Sequence, residues 1–157
     1  MIKVLFVCLG NICRSPMAEA VMRHKVREAG LTDRIQVDSA GTAGWHAGNP
    51  PHEGTRNILK QYGIDAAGIH ARQVRYEDYT DFRYIIAMDD SNIGNLAAVA
   101  PADHQAEVRK LLEFTKSGRG GDVPDPYYTG NFDEVYEMVE EGCERILAYI
   151  CEREGLA

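Results

Sequence analysis

The chain has 157 residues, 45% hydrophobic and 26% charged, the size of one ordinary domain with enough apolar material to bury a core. Its formal net charge of -7 argues against nucleic acid or an anionic membrane as main partner, because both select basic surfaces. No apolar run approaches the roughly 20 residues of a membrane span, and the short run "MIKVLFV" precedes no small-residue cleavage site, so a soluble, cytoplasmic protein is expected.

"IKVLFVC" at 2–8 is an apolar run of buried-strand length. Ser15 is expected to cap a helix that Pro16 opens, with Ala18, Met22, Val26 and Ala29 on its apolar face and Gly30 at its end. "RIQVDSAGT" is a second strand, residues 42–54 a Gly- and Pro-rich loop, and a helix follows over about 54–62. "YIIAM" at 84–88 is a third strand, with a short helix over about 90–99. "EVRKLLEF" fits a fourth strand, although a helix also fits. "TKSGRGGDVPDPYYTGN" is a long loop. The last helix carries Phe132, Val135, Val139, Cys143, Ile146 and Ile150 on one stripe, with Asn131 and Glu134 in capping-box positions. Strands alternating with helices imply an α/β three-layer sandwich, a mostly parallel sheet covered on both faces, formed by one domain over 1–157. In such sheets ligands bind beyond the carboxyl ends of the strands, where Cys8 stands.

The stretch "CLGNICRS" at 8–15 joins that strand to the helix. It lacks the nucleotide-binding glycine patterns, yet a strand-to-helix loop offers free N–H groups and a helix dipole to an anion. Gly10 reaches positive φ freely and Asn11 tolerates it, so the backbone from Leu9 through Ile12 and Cys13 to Arg14 can curl its N–H groups around one tetrahedral anion. Cys8 sits at the base of that ring, where amides, a helix start and Arg14 favour thiolate, and the Ser15 hydroxyl can donate to it. Arg14 presents a planar fork matched to two phosphoryl oxygens. These parts suit nucleophilic attack on phosphorus.

Cys8, Arg14 and Ser15 in the spacing C-x5-R-S resemble the signature loop of low-molecular-weight protein tyrosine phosphatases. "DSAGT" at 38–42, "AMDDSN" at 87–92 and "DPYY" at 125–128 resemble segments of that family in the same order, so the likeness covers nearly the whole chain. The resemblance implies a flavodoxin-like, doubly wound four-stranded parallel sheet and hydrolysis of phosphotyrosine through a cysteinyl-phosphate. It implies Asp125 as proton donor to the leaving group and then as base, a role suited to a carboxyl held between Pro124 and Pro126. A bell-shaped pH profile on the acid side of neutrality is expected. Asn11 and Ser39 are implied in a network supporting the loop, and Trp45, Tyr127 and Tyr128 in the walls of the cleft, with Asp89 at its rim. The implied partners are tyrosine-phosphorylated proteins and inorganic phosphate, as product or inhibitor, with no metal or other cofactor.

One departure from the family pattern is that Ile69 holds the place of a network histidine, and His70 directly precedes Ala71 and Arg72. His70 is not expected in the network, and His24, His46, His52 and His104 read as surface residues. The four cysteines have no metal spacing; Cys143 and Cys151 read as helix residues, and the resemblance allows a reversible Cys8–Cys13 disulfide beside the alternative of a buried thiol. Arsenate reductases of the same fold need further relay cysteines, which are missing between Cys13 and Cys143. Protein-arginine phosphatases carry threonine where this chain has Ile12, and an apolar side chain there favours a phenyl ring over a guanidinium. Cysteine phosphocarriers of sugar transport have little need of Arg14 with Asp125.

Overall fold

A computed structural model of the chain describes residues 1–116 and 120–156. Strands β1 (Ile2–Cys8), β2 (Ile35–Gly41), β3 (Tyr84–Ala87) and β4 (Glu107–Lys110) form one parallel sheet in the order β2-β1-β3-β4. The helices are α1 (Arg14–Glu28), α2 (Glu53–Gln61), α3 (Asp78–Asp81), α4 (Asp90–Val99), α5 (Pro126–Thr129) and α6 (Phe132–Glu154).

Strand β1 reads as an unbroken apolar run because it is buried on both faces. Val4, Phe6 and Cys8 point toward the cluster built from α1, α2 and α6, whereas Leu5 and Val7 point toward Tyr79, Phe82 and Leu96 from the α3 and α4 side. This is the flavodoxin-like, three-layer arrangement expected. The stripe of α6 holds throughout, with Val135, Val139, Cys143, Ile146 and Ile150 all buried.

Because β2 lies on one side of β1 and β3 on the other, the crossovers diverge at the carboxyl end of β1 and open a crevice there. Loop 9–13 fills it. Gly41, paired with Cys8 at the strand ends, lets the loop approach. A Cβ on Gly41 would lie 2.8 Å from the Leu9 carbonyl oxygen and 2.9 Å from that of Ala43, too close for any larger residue.

Several local expectations are corrected. Helix α1 begins at Arg14, with Cys13 at its N-cap position and no side-chain cap, because the Ser15 hydroxyl is engaged below the loop. No capping box opens α6 either, since the Asn131 N–H donates to the Thr129 hydroxyl at 3.2 Å. The fourth strand stops at Lys110 and turns into a 3-10 segment, Leu111–Phe114. The expected long loop contains α5, and its residues 117–119 lie outside the described residues. No described helix is long and apolar enough to cross a membrane.

Candidate active site

The orientation of the loop backbone follows from where its carbonyls go. Those of Cys8 and Leu9 accept from the amides of Thr42 and Ala43, both at 2.9 Å, and that of Ile12 accepts from His52 N–H at 2.7 Å. The Cys13 carbonyl accepts from the Thr55 hydroxyl at 3.2 Å and from Met17 N–H at 3.2 Å. With these four carbonyls engaged, and no turn or loop hydrogen bond donated by the amides of residues 9–13 among the described residues, the N–H groups are left for an anion. The curl passes through Asn11 at φ 58, the single non-glycine residue in the left-handed region among those described.

Asn11 is held there by its own side chain. Its Oδ1 accepts from Arg72 N–H at 3.0 Å, while Nδ2 donates to the hydroxyls of Ser15 at 2.8 Å and Ser39 at 2.9 Å. The Ser39 hydroxyl donates to Glu19 Oε1 at 2.6 Å, which fixes the direction of the chain of bonds. Ser15 accepts from Asn11, so its proton is available to Cys8 Sγ, 3.0 Å away, or to the Ala40 carbonyl at the longer distance of 3.5 Å. Asn11, Ser15, Glu19 and Ser39 are all buried, behind the loop rather than in the cleft.

Arg14 is the largest fully buried side chain, 2% exposed. It donates through Nη1 to Asp89 Oδ2 at 2.6 Å and to the Val123 carbonyl at 2.9 Å, and through Nη2 to Asp125 Oδ2 at 3.4 Å. Its Nε is buried with no protein partner, a donor an oxyanion would satisfy. Burial would weaken its hold on the proton, but Cys8, Asp89 and Asp125 outweigh that and raise Arg14 above its ordinary range. Asp89 reaches this position as the N-cap of α4, accepting from Asn92 N–H at 2.7 Å. Asp125 is extended (φ -87, ψ 108), the region that the following Pro126 favours, and caps α5. Cys8, Leu9, Gly10, Ile12, Cys13, Trp45, His46, Asp125, Tyr127 and Tyr128 line one cleft.

The family model for low molecular weight phosphotyrosine protein phosphatase matches residues 3–155. The chain belongs to this family. It is 55% identical over 150 residues to the low molecular weight protein-tyrosine-phosphatase YfkJ of Bacillus subtilis, covering 96% of each chain. The crystal structure of YfkJ superposes with a TM-score of 0.94 at 54% identity, covering 98% of this chain and 96% of that one. The phosphatase PtpA of Staphylococcus epidermidis is 51% identical over 150 residues, covering 96% of this chain and 94% of its own. A Drosophila arginine phosphatase has the same fold, with a TM-score of 0.84 at 36% identity, covering 94% of this chain and 97% of that one.

Within this phosphatase fold, four side chains that the sequence did not single out adjoin the cleft or brace it. His46 lines the cleft, and its ring covers Gly10. His52 accepts from Gly54 N–H at 3.0 Å to cap α2 and stacks on Phe132 at 5.3 Å. Neither is simply a surface histidine, nor is His104, whose Nδ1 is buried against the ring of Tyr79. His70 is exposed, away from the network, and Ile69 is buried in the core. Arg72 braces the loop from outside, its guanidinium shared between Asp38 and the fully buried Asp78. Glu19 was detectable in principle, because it lies one helical turn after Ser15 on the same face.

Cys13, in the same loop as Cys8, is a free thiol pushed up to about 12 by burial, with Asp125 and Cys8 adding to it, and so stays neutral. Burial likewise pushes the Glu19 carboxyl up from an ordinary 4.5 to about 7, with Asp38 adding and the Ser39 bond, Arg23 and Arg72 opposing. The folded chain therefore holds this proton more tightly than the unfolded one. The stability it contributes is complete below the unfolded pKa and is lost as pH rises through the folded one, about 3 kcal/mol in all. Denaturant unfolding at pH 5 and pH 8 should show Glu19→Gln losing less stability across that window than the parent by an amount of this order. Identical losses would mean that Glu19 titrates as an exposed carboxyl.

Proposed function

We propose that Cys8 is the nucleophile and Asp125 the proton donor of a two-step hydrolysis of phosphotyrosine in proteins. The Cys8 thiolate attacks phosphorus, the bond from phosphorus to the tyrosyl oxygen breaks, and Asp125 gives its proton to that oxygen. Asp125 then takes a proton from water, whose oxygen attacks phosphorus. The sulfur–phosphorus bond breaks, inorganic phosphate leaves and the thiolate is restored. What supports the reading is that the carbonyls of Cys8, Leu9, Ile12 and Cys13 are engaged by other groups, whereas the amides of residues 9–13 donate no turn or loop hydrogen bond among the described residues, beside a cleft that Cys8 lines.

Arg14 and the amides of Leu9, Gly10, Asn11, Ile12 and Cys13 hold the phosphoryl oxygens as charge spreads over them. The phosphoryl group draws donors away from Asp125, whose 3.4 Å contact with Arg14 is at the long end of a hydrogen bond, and frees that carboxyl for proton transfer. Ser15 donates to the thiolate, and Asn11 and Ser39 keep the loop curled. Trp45, Tyr127 and Tyr128, all more than half exposed, flank the substrate ring. Inorganic phosphate is product and competitive inhibitor, and the whole chain acts as one cytoplasmic phosphatase domain.

Ile12, 8% exposed in the cleft, offers an apolar contact to a phenyl ring and no partner to a guanidinium. A phosphotyrosine peptide should therefore exceed its matched phosphoarginine peptide in kcat/KM by about 100-fold. Preference for phosphoarginine would preserve the thiolate chemistry and overturn the role of Ile12, while release of phosphate from neither would sink the reading.

A further inference from the structure

The segment bearing Asp125 is stitched to the sheet at successive residues. Val123 N–H donates to the Met88 carbonyl at 2.9 Å, and the Val123 carbonyl accepts from Arg14. One residue earlier, Asp122 Oδ1 accepts from Asp90 N–H at 3.1 Å and from Lys110 Nζ at 3.0 Å. The same Lys110 ammonium lies 2.8 Å from Asp90 Oδ1. Lys110 ends β4, Asp90 begins α4, and the Lys110 side chain as a whole is only 12% exposed although both carboxylates face solvent.

We infer that Lys110 is a positioning residue for the reaction: its ammonium clamps Asp122 to Asp90 and so holds segment 122–125, and the Asp125 carboxyl with it, over the phosphoryl cradle. The inference rests on the role proposed for Asp125. Without the cation, two carboxylates that now touch one nitrogen would face each other unneutralised. Their repulsion would work against the bond from Asp90 N–H to Asp122, one residue from the backbone link at Val123. Hydrogen bonds that the ammonium donates to Asp90 and then to Asp122 also hold Lys110 more firmly protonated than usual.

A displaced proton donor leaves a chemical signature, because protonation matters most when the leaving oxygen is strongly basic. The test compares kcat/KM on phenyl phosphate, a poor leaving group, with 2,4-dinitrophenyl phosphate, a good one. Lys110→Met should lose about tenfold on phenyl phosphate and less than about twofold on the dinitrophenyl ester, and Lys110→Arg should restore the parent values on both. Equal losses on both esters, accompanied by a lower Tm, would reduce Lys110 to a structural ion pair and overturn the inference. Asp125→Ala, run alongside, should show the same selectivity in larger measure. A selective loss in Asp125→Ala with none in Lys110→Met refutes the clamp alone. No selectivity in Asp125→Ala refutes the proton-donor role and the clamp's purpose together.

Discussion

Replacing Cys8 by serine should lower kcat/KM for a phosphotyrosine peptide by about 10^4-fold or more, leaving phosphate release at the limit of detection. A serine hydroxyl at neutral pH is un-ionised, and the network around it supplies no general base in place of the missing thiolate. Ser15 already accepts from Asn11, whose Nδ2 is spent on two hydroxyls. Binding should survive, because the cradle is made of backbone amides and Arg14 rather than of the thiol. Trp45, the chain's single tryptophan, lines the cleft and is 73% exposed, so its fluorescence reports occupancy by inorganic phosphate or peptide. Retained binding with lost turnover is the expected pair of results. Substantial turnover in the variant would remove Cys8 from the chemistry.

Arg14→Lys should cost about 10^3-fold in kcat, with phosphate affinity reduced as well. The three donors of one ammonium would leave at most one for a phosphoryl group once Asp89 and the Val123 carbonyl are served, with no planar fork for two oxygens and no counterpart to the unpartnered Nε. The substitution should also lower stability by about 1–3 kcal/mol, because a carboxylate or carbonyl at the 2%-exposed site loses its donor. Thermal unfolding separates the two effects: saturating phosphate should raise the Tm of the parent more than that of the variant. If phosphate stabilises both equally, Arg14 serves to hold Asp89 and segment 123–125 and does not bind the oxyanion.

Both variants bear on a site whose parts come from distant segments. Asp89 meets Arg14 across 75 positions in sequence, and Asp125 meets it across 111. The two aspartates also differ in exposure from the arginine they hold, being 20% and 22% exposed against 2%. This is the gradient expected where a buried cation faces an open cleft.

The sequence determined the central strand and the loop because their physics is local, whereas it left "EVRKLLEF" open between strand and helix. An apolar run with no alternation must be a strand buried on both faces, as β1 is, and a glycine-asparagine pair before a helix start can curl only where positive φ is tolerated. Pro126 biases the residue before it, Asp125, toward the extended backbone it adopts. Tertiary structure alone decided which polar groups meet. Ser15 looked like a helix cap and became a partner of Cys8, because the folded loop offers its hydroxyl stronger partners than the first helical turn does. Glu19, Arg72 and Lys110 carry no motif, and their partners lie on other elements. What makes Glu19 hold its proton is burial, a property of the packed whole that residue spacing does not encode.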